Sequence, residues 1–346
     1  MKTLPAPEHQ WGNLGAIVSN GLYHRIFMAA IRLKIFNSLD WNTAEEIAER
    51  LKTHPRNTGL FLNVLAGLGL LIKKNGRYCN TEEGKKFLDS GSQNYLGDYF
   101  LYYSSFFEGK EGDFEALVKN GPPVDINSKD MADESIWASS AQLSAAYQYG
   151  GEAQKMAKMV SELDEFSLMK RMLDMGGGAG FYSIATISAH QTMIGVILEQ
   201  PAVAEVAAGF VKEYGMEHRI DIVSGNYLED DLGGPYDLVF AGSTLNFAKD
   251  RLEPLFRKVL NSLTPGGLFI THQDGYTDER TSPVEHISGF LGFEMAGADF
   301  AFARGEIAKA MIQSGFQSVR SFTVNWNIGP MDIDIAKKSV CYKVHL

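Results

Sequence analysis

Apolar residues return every three or four positions through the first seventy residues, which is the spacing of one face of an amphipathic helix. The pattern predicts a helix from about Leu14 to Leu39. Thr43 and Glu46 then form a capping box, because the hydroxyl and the carboxylate can satisfy backbone N–H groups at a helix start. A third helix is predicted from Arg56 to Gly69, where the glycine can end it. The start of the chain is therefore expected to be mainly helical.

A β-hairpin is predicted next. Asn75 and Gly76 separate two strand-like runs, and a type I′ turn needs positive φ at both of its central positions. Two helices followed by a hairpin predict a winged helix-turn-helix, which can bind DNA or act as a dimerisation module. The helix that would enter a DNA groove offers only Arg56 as a basic residue, and the chain has a formal net charge of -10. We therefore expect a dimerisation module and no nucleic-acid partner.

Residues 90–165 are predicted to form helices rich in aromatic side chains. Most of these side chains are expected in the core or at an interface, and some could line a pocket for an apolar or aromatic substrate. The candidates for such a pocket in this stretch are Tyr103, Phe107, Tyr147 and Tyr149. We assign this stretch to the first of two domains, because 346 residues exceed the usual size of one domain.

Strand-like runs alternate with helical ones from Met169 onwards. This alternation predicts a parallel sheet with crossover helices, hence an α/β fold for residues 166–346 and a mainly α domain for residues 1–165. The predicted strands are Arg171–Met175, Met193–Leu198, Ile220–Ser224, Leu238–Ala241 and Leu268–His272. Two further strands could come from the tail, at Ser318–Asn325 and Ser339–His345.

Composition narrows the class of protein. Hydrophobic residues make up 45% of the chain and charged residues 21%, which suits a globular protein with a core. No apolar run reaches the roughly 18 residues of a transmembrane helix, and the first residues lack a signal-peptide pattern. Cys79 and Cys341 have neither metal-ligand nor redox spacing, which suits a reducing compartment. We therefore expect a cytoplasmic protein that does not bind a membrane.

A glycine-rich segment from Asp174 to Gly180 follows a predicted strand and opens a helix. Glycines there let the backbone turn tightly and approach a ligand closely, although such a loop alone also suits dinucleotides. Glu199 ends the next strand, where a carboxylate can accept both hydroxyls of a ribose. Gly225 and Asn226 end the third strand, where an amide could meet an adenine edge. These residues predict a nucleotide-like ligand at one edge of the sheet.

With these motifs the chain resembles the class I S-adenosylmethionine-dependent O-methyltransferases of the plant caffeate and bacterial polyketide type. That resemblance covers nearly the whole chain and implies an N-terminal winged-helix dimerisation domain, a C-terminal Rossmann-like catalytic domain, and a homodimer. The segments that carry it are Thr43–Leu51, Leu65–Gly84, the glycine-rich segment, Glu199-Gln200-Pro201, Leu263-Thr264-Pro265-Gly266-Gly267 and Ser314-Gly315-Phe316.

The resemblance also implies residue roles towards S-adenosylmethionine. Asp174 would orient its amino group through the loop, Glu199 would bind its ribose, and Asn226 stands where the family usually has an aspartate near adenine. The expected cofactor-binding residues are Asp174, Gly176, Gly177, Gly178, Gly180, Glu199, Gln200, Gly225, Asn226 and Tyr227. In the family, the helical segment Pro283–Gly297 contributes to the substrate pocket, which adds Met295 to the pocket candidates.

One departure from the family concerns the catalytic base. The family has a histidine where this chain has Asn246, and an amide cannot take a proton from a hydroxyl. Candidates for a displaced base are His272 at the end of a predicted strand, Asp274 shortly after it, and His286. An imidazole titrates near neutral pH, which suits proton transfer. These two histidines with Asp274 and Glu294 could also hold a metal, but their spacing matches no metal motif and we expect none.

The predicted function is therefore S-adenosylmethionine-dependent methyl transfer to a small molecule, with an oxygen as the expected acceptor atom. Asn246 leaves two alternatives open. A thiol or thioether acceptor would need no general base, and a protein that binds the cofactor without transferring its methyl group would need none either.

Overall fold

The computed structural model describes residues 12–105, 113–122 and 134–340. The chain divides into two compact units between Ser104 and Ser105. The first unit contains helices α1 (Leu14–Arg32), α2 (Ala44–Leu51) and α3 (Pro55–Gly67), strands β1 (Asn42–Thr43), β2 (Leu71–Lys74) and β3 (Arg77–Asn80), a short helical segment Gly84–Leu88, and α4 (Gly97–Ser105). None of the described helices combines the length and apolar character that a membrane crossing requires.

The local signals read in the first unit are confirmed. Oγ1 of Thr43 accepts the N–H of Glu46 at 3.2 Å, and Oε2 of Glu46 accepts the N–H of Thr43 at 2.9 Å. Asn75 and Gly76 have φ values of 47° and 75°, and the hairpin they form completes a sheet of order β1-β3-β2. The first helix is shorter than predicted. It ends at Arg32, and the chain then leaves the helical conformation at Lys34, which is left-handed with a φ of 54°.

The second unit is built around a seven-stranded sheet of order β6-β5-β4-β7-β8-β10-β9. The first five of these are mutually parallel, and β10 runs antiparallel to both of its neighbours. The strands are β4 (Arg171–Met175), β5 (Ile194–Glu199), β6 (Ile220–Ser224), β7 (Tyr236–Gly242), β8 (Leu263–Gln273), β9 (Ser318–Trp326) and β10 (Gly329–Lys337). The predicted α/β fold with a parallel sheet is therefore confirmed, and the antiparallel strand β10 lies between β8 and the edge strand β9.

The last strand of the sheet differs from its prediction. It spans Gly329–Lys337 because the chain reverses after Trp326 and pairs directly with β9. Ser339 and Val340 lie outside any strand, and the rest of the predicted strand falls outside the described residues.

Helices of the second unit are α5 (Phe114–Asn120), α6 (Glu134–Tyr147), α7 (Ala153–Ser161), α8 (Phe181–Ser188), α9 (Pro201–Glu213), α10 (Leu252–Ser262), α11 (Val284–Met295) and α12 (Glu306–Gln313). Both faces of the sheet are apolar, as a parallel sheet between helices requires. Leu238 and Phe240 belong to the core on one face, and Val239 and Ala241 belong to the core on the other.

Helices α5, α6 and α7 lie before residue 165 but belong to this second unit. Helix α6 packs against α9, and α7 packs against α8. Met156 and Val160 of α7 lie in the same buried cluster as residues of the sheet. The observed division of the chain therefore differs from the boundary predicted at residue 165, because α6 and α7 bury their apolar faces against the sheet unit.

Candidate active site

The loop between β4 and α8 contains three glycines in the left-handed conformation. Gly176, Gly178 and Gly180 have φ values of 67°, 56° and 82°. Cβ atoms added at Gly176 and Gly180 would lie 2.3 Å from Oγ1 of Thr244 and 2.7 Å from Cδ1 of Ile197, so packing within the protein excludes side chains there. A Cβ at Gly178 would meet no atom within 4 Å. Gly178 therefore borders open space that a ligand can fill.

Gly177 is confined in the same loop, since a Cβ there would lie 2.8 Å from Cγ of Asp174. Glu199, at the end of β5, closes the loop from the other side. Its Oε1 accepts the N–H of Gly178 at 2.9 Å, and its Oε2 accepts the N–H of Gln200 at 2.9 Å. A carboxylate oxygen has two acceptor positions, so Glu199 keeps the capacity to accept ligand hydroxyls. Gln200 directly precedes α9 as its N-cap.

Asp174 is fully buried at the end of β4. Its Oδ2 accepts the hydroxyl of Ser183 at 2.8 Å, whereas its Oδ1 has no partner among the described residues. Burial raises the pKa of Asp174 to about 7, and the nearby Glu199 adds to this rise while Ser183 opposes it. Buried polar atoms are nearly always hydrogen-bonded in proteins, so Oδ1 marks a position for a ligand donor. A cationic amino group would fit it best.

The end of β6 is organised by its own hydrogen bonds. The N–H of Gly225 donates to the carbonyl of Glu199 at 2.8 Å. The side chain of Asn226 is exposed, and its Oδ1 accepts the N–H of Leu228 at 2.9 Å. Tyr227 is buried, and burial raises its pKa to about 12. The Tyr227 hydroxyl donates to the carbonyl of Thr244 at 2.8 Å and accepts from that residue's Oγ1 at 3.0 Å.

These hydrogen bonds show that the three residues at the end of β6 have different roles. Gly225 and Tyr227 hold the loop in place, whereas Asn226 presents an amide at its surface. Of the cofactor candidates, Tyr227 therefore has a hydroxyl that is already engaged within the protein.

Asn246 lies after β7, in a turn that precedes α10. Its Oδ1 accepts from Nε2 of Gln273 at 2.7 Å, and its Nδ2 donates to the carbonyl of Phe300 at 2.8 Å. Both ends of this amide are therefore engaged in holding neighbouring segments. The same Nε2 of Gln273 donates to Oδ1 of Asp274 at 2.6 Å, so Gln273 bridges Asn246 and Asp274.

His272 lies one residue before the end of β8 and has only 1% of its surface exposed. Neither ring nitrogen has a partner among the described residues. The ring lies 5.0 Å from that of Trp326, edge to face, and 5.9 Å from that of Tyr182. Burial lowers the pKa of His272 to about 3, and His286 and Lys155 lower it further. The imidazole is therefore neutral near neutral pH and holds a proton weakly.

His286, on α11, is also buried, and its Nε2 donates to the carbonyl of Pro330 at 2.6 Å. Asp274 is buried beside this histidine, and its Oδ2 has no partner among the described residues. The part of the chain that the structure describes contains no group of three His, Cys, Asp or Glu side chains placed to hold a metal ion. The metal alternative for His272, Asp274, His286 and Glu294 thus gains no support.

The candidates for the substrate pocket lie in different parts of the structure. The hydroxyl of Tyr147 is 3.4 Å from that of Tyr182, which in turn lies beside His272, and burial raises the pKa of Tyr147 to about 12. Tyr149 packs edge to face on Phe181 at 5.3 Å against the core, and Met295 is half-buried at the end of α11. Tyr103 lies in the first unit, where it stacks on Tyr99. Phe107 lies outside the described residues.

Gln273 and Tyr182 were not among the residues predicted from the sequence, whereas Asp274 was named beside His272 as a candidate for a displaced base and as a possible metal ligand. The sequence did carry a signal for Gln273 and Asp274, because both follow His272 at the carboxyl end of a strand, where ligands bind in such sheets. Helical periodicity did not predict that Tyr182, on α8, lies next to His272. Unpartnered buried polar atoms lie at or beside the carboxyl ends of β4 and β8: Asp174 Oδ1, His272 Nδ1 and Nε2, Gln273 Oε1, Asp274 Oδ2 and, in the ring packed on His272, Trp326 Nε1.

Comparison with known families places both halves of the chain. Residues 19–90 match the model of an O-methyltransferase dimerisation domain, and residues 137–286 match that of an O-methyltransferase domain. Together these matches cover more than half of the 346 residues.

Individual relatives are similar at low identity. A 3-hydroxy-5-methyl-1-naphthoate 3-O-methyltransferase of Streptomyces sahachiroi is 26% identical over 74% of this chain and 75% of its own length. An N,N-dimethyltransferase of Streptomyces rimosus is 26% identical over 92% of this chain and 94% of its own. Human N-acetylserotonin methyltransferase, solved in complex with S-adenosylmethionine, superposes with a TM-score of 0.78 at 19% identity, covering 97% of this chain and 100% of that structure. This last likeness concerns the fold.

Proposed function

Because the chain belongs to the O-methyltransferase family and is an S-adenosylmethionine-dependent methyltransferase, we propose that its acceptor is a small hydroxylated aromatic molecule. The observation that carries the proposal is the group of buried, unpartnered polar atoms among aromatic rings at the carboxyl end of the sheet. An aromatic acceptor would stack on the rings, and its polar substituents would satisfy the unpartnered atoms.

We assign the donor side of the site to the loops after β4, β5 and β6. Asp174 would receive the amino group at Oδ1, Gly178 would border the methionine portion, Glu199 would accept the ribose hydroxyls, and Asn226 would meet the adenine. S-adenosylmethionine supplies a methyl group already activated on a positively charged sulfur. The protein therefore needs to hold the acceptor in line with that methyl group, which alone can lower the barrier by several kcal/mol.

The acceptor side lies around Tyr147, Tyr182, His272 and Trp326. The neutral His272 can accept a hydrogen bond at one ring nitrogen and donate one at the other. These aromatic side chains and the neutral imidazole suit a flat aromatic ring that carries a hydroxyl and a second polar group. The relative that methylates a hydroxynaphthoate acts on a molecule of this kind.

An acceptor without an ionisable proton is the second candidate. Asn246 replaces the family's histidine and has both ends of its amide engaged, so it provides no base. A thioether would need none. The N,N-dimethyltransferase among the relatives adds amines to the acceptors that a test must include.

A homodimer is proposed on the first unit, which matches the family's dimerisation domain. Helix α1 exposes a stripe of apolar side chains at helical spacing, and the second copy would cover it. The residues of this stripe are Leu14, Ile17, Val18 and Leu22.

The decisive experiment incubates the protein with methyl-labelled S-adenosylmethionine and a panel of hydroxynaphthoates, catechols, aromatic amines and thioethers. We expect label on a hydroxyl oxygen of the fused-ring acceptors, identified by mass spectrometry. Label only on amines or thioethers would contradict the proposed acceptor class. Tight cofactor binding in calorimetry without transfer to any acceptor would contradict the enzymatic assignment itself.

A further inference from the structure

Asp274 is held in one orientation by its neighbours. Nε2 of Gln273 donates at once to Oδ1 of Asp274 at 2.6 Å and to Oδ1 of Asn246 at 2.7 Å. Asn246 is fixed in turn, because its Nδ2 donates to the carbonyl of Phe300. One oxygen of the carboxylate is thus anchored through a chain of amides to the turn after β7.

The other oxygen of Asp274, Oδ2, is buried and has no partner among the described residues. It lies beside His286, whose Nε2 is engaged with a backbone carbonyl. His272, two residues earlier on β8, is too weak a base to keep a proton near neutral pH. Asp274 therefore offers the unengaged, proton-accepting oxygen of this cluster.

We propose that Oδ2 of Asp274 accepts the proton of the acceptor's hydroxyl group, and that Gln273 and Asn246 are positioning residues for this carboxylate. The inference rests on the proposed function. As the acceptor's O–H bond breaks, the proton passes to Oδ2. An oxygen lone pair forms the new bond to the methyl carbon, and the electron pair of the broken C–S bond stays on sulfur.

Titratable groups on the adjoining segments act on this carboxylate. Burial raises the pKa of Asp274, whereas His286 on α11 and the hydrogen bond from Gln273 oppose the rise. Tyr276, in the loop after β8, also faces it, and Asp274 contributes to raising the pKa of Tyr276. A carboxylate with a raised pKa takes a hydroxyl proton more readily than an exposed one.

Binding to the complex with demethylated cofactor tests the contact without turnover. The probe is 2-naphthol, and 2-methoxynaphthalene is its matched ligand without a hydroxyl proton. We expect 2-naphthol to lose affinity as the pH falls through the raised pKa of Asp274 and the carboxylate is protonated, and 2-methoxynaphthalene to bind without this dependence. Asp274→Asn should abolish the pH dependence. Failure of 2-naphthol to bind, or the same dependence in the variant, overturns the proposal.

Transfer rates provide a second readout. Asp274→Asn should lower kcat for 2-naphthol by about 100-fold, within the usual effect of losing a general base. Transfer to 2,4-dinitrophenol, which is already ionised, should change by less than about 3-fold, because no proton has to be removed. Equal losses for both acceptors would contradict a role in proton transfer.

Asp334→Asn is the matched control, because Asp334 is a buried carboxylate on β10 whose side chain lies on the opposite face of the sheet from His272. It should leave both readouts unchanged. The two failures are distinguishable. If the proposed function is wrong, no hydroxylated acceptor receives label, whereas if only this inference is wrong, transfer occurs and Asp274→Asn retains it.

Discussion

The backbone N–H of Gly178 donates a 2.9 Å hydrogen bond to Oε1 of Glu199, which ties the glycine loop after β4 to the end of β5. Burial raises the pKa of Glu199, and the N–H groups of Gly178 and Gln200 oppose the rise by stabilising the charge. The proposed contacts to the methionine and ribose portions of the donor therefore share one hydrogen-bonded frame. A change on either side of this frame should alter cofactor affinity.

Gly178→Val should weaken S-adenosylmethionine binding. The new side chain would enter the open space beside the loop, which is the proposed path of the ligand. We expect a loss of at least about 10-fold in affinity, or about 1.4 kcal/mol, in calorimetric titrations.

Gly215→Val is the matched control for that measurement. Gly215 also has positive φ, at 66°, and open space at its Cβ position, but it lies in the turn after α9. Both variants strain the backbone similarly, since a β-branched residue resists positive φ. Unchanged affinity in Gly178→Val, or an equal loss in both variants, would refute the placement of the ligand.

Asp174 should make the stability of the ligand-free protein fall with rising pH. Its pKa is raised from 3.8 to about 7, so between these values the folded protein holds a proton that the unfolded chain has released. Protonated Asp174 therefore stabilises the fold at low pH, and this contribution is lost as the pH rises through about 7. The shift corresponds to about 4 kcal/mol.

Urea unfolding of wild-type protein and Asp174→Asn across this pH range isolates the effect, because other titrating groups contribute equally to both. The free energy of unfolding of the variant should increase relative to wild type as the pH rises. A difference between the two proteins that is independent of pH would show that Asp174 titrates normally.

Much of the sheet could be predicted from the sequence because its strands alternate with helices and carry continuous apolar runs. β4 and β6 have the predicted bounds. The division of the chain was harder, because the apolar faces of α6 and α7 do not reveal which unit they cover. They pack on α9 and α8, and only the tertiary structure shows this.

The donor side of the candidate site could be predicted from the sequence, whereas the acceptor side could not. The glycine loop and Glu199 lie at fixed positions after consecutive strands, so the sequence order brings them together. The acceptor side joins β8, α11 and the turn with Asn246, and its contacts depend on long-range packing. The bridge from Gln273 to both Asn246 and Asp274 has no signature in spacing, since an amide can hydrogen-bond in many directions.

Tyr227→Phe should destabilise the protein while changing cofactor affinity little. The lost hydroxyl would leave the buried carbonyl and Oγ1 of Thr244 without their partner, which costs about 1–3 kcal/mol. Tyr214→Phe is the control, because Tyr214 is 49% exposed. Denaturant unfolding measures the first effect and calorimetry the second. A large loss of cofactor affinity at unchanged stability would instead place the Tyr227 hydroxyl against the ligand.

Leu22→Asp should convert the proposed homodimer to a monomer. Leu22 is 55% exposed on α1, and a carboxylate in an apolar interface would lose its hydration without gaining a partner. Val118→Asp is the matched control, because Val118 is 75% exposed on α5 of the second unit, outside the dimerisation domain. Light scattering should report a dimer mass for wild type and Val118→Asp, and a monomer mass for Leu22→Asp with unchanged helical content. A monomeric wild type, or a dimer that persists in Leu22→Asp, would contradict an interface through this stripe, since the carboxylate would then remain in water.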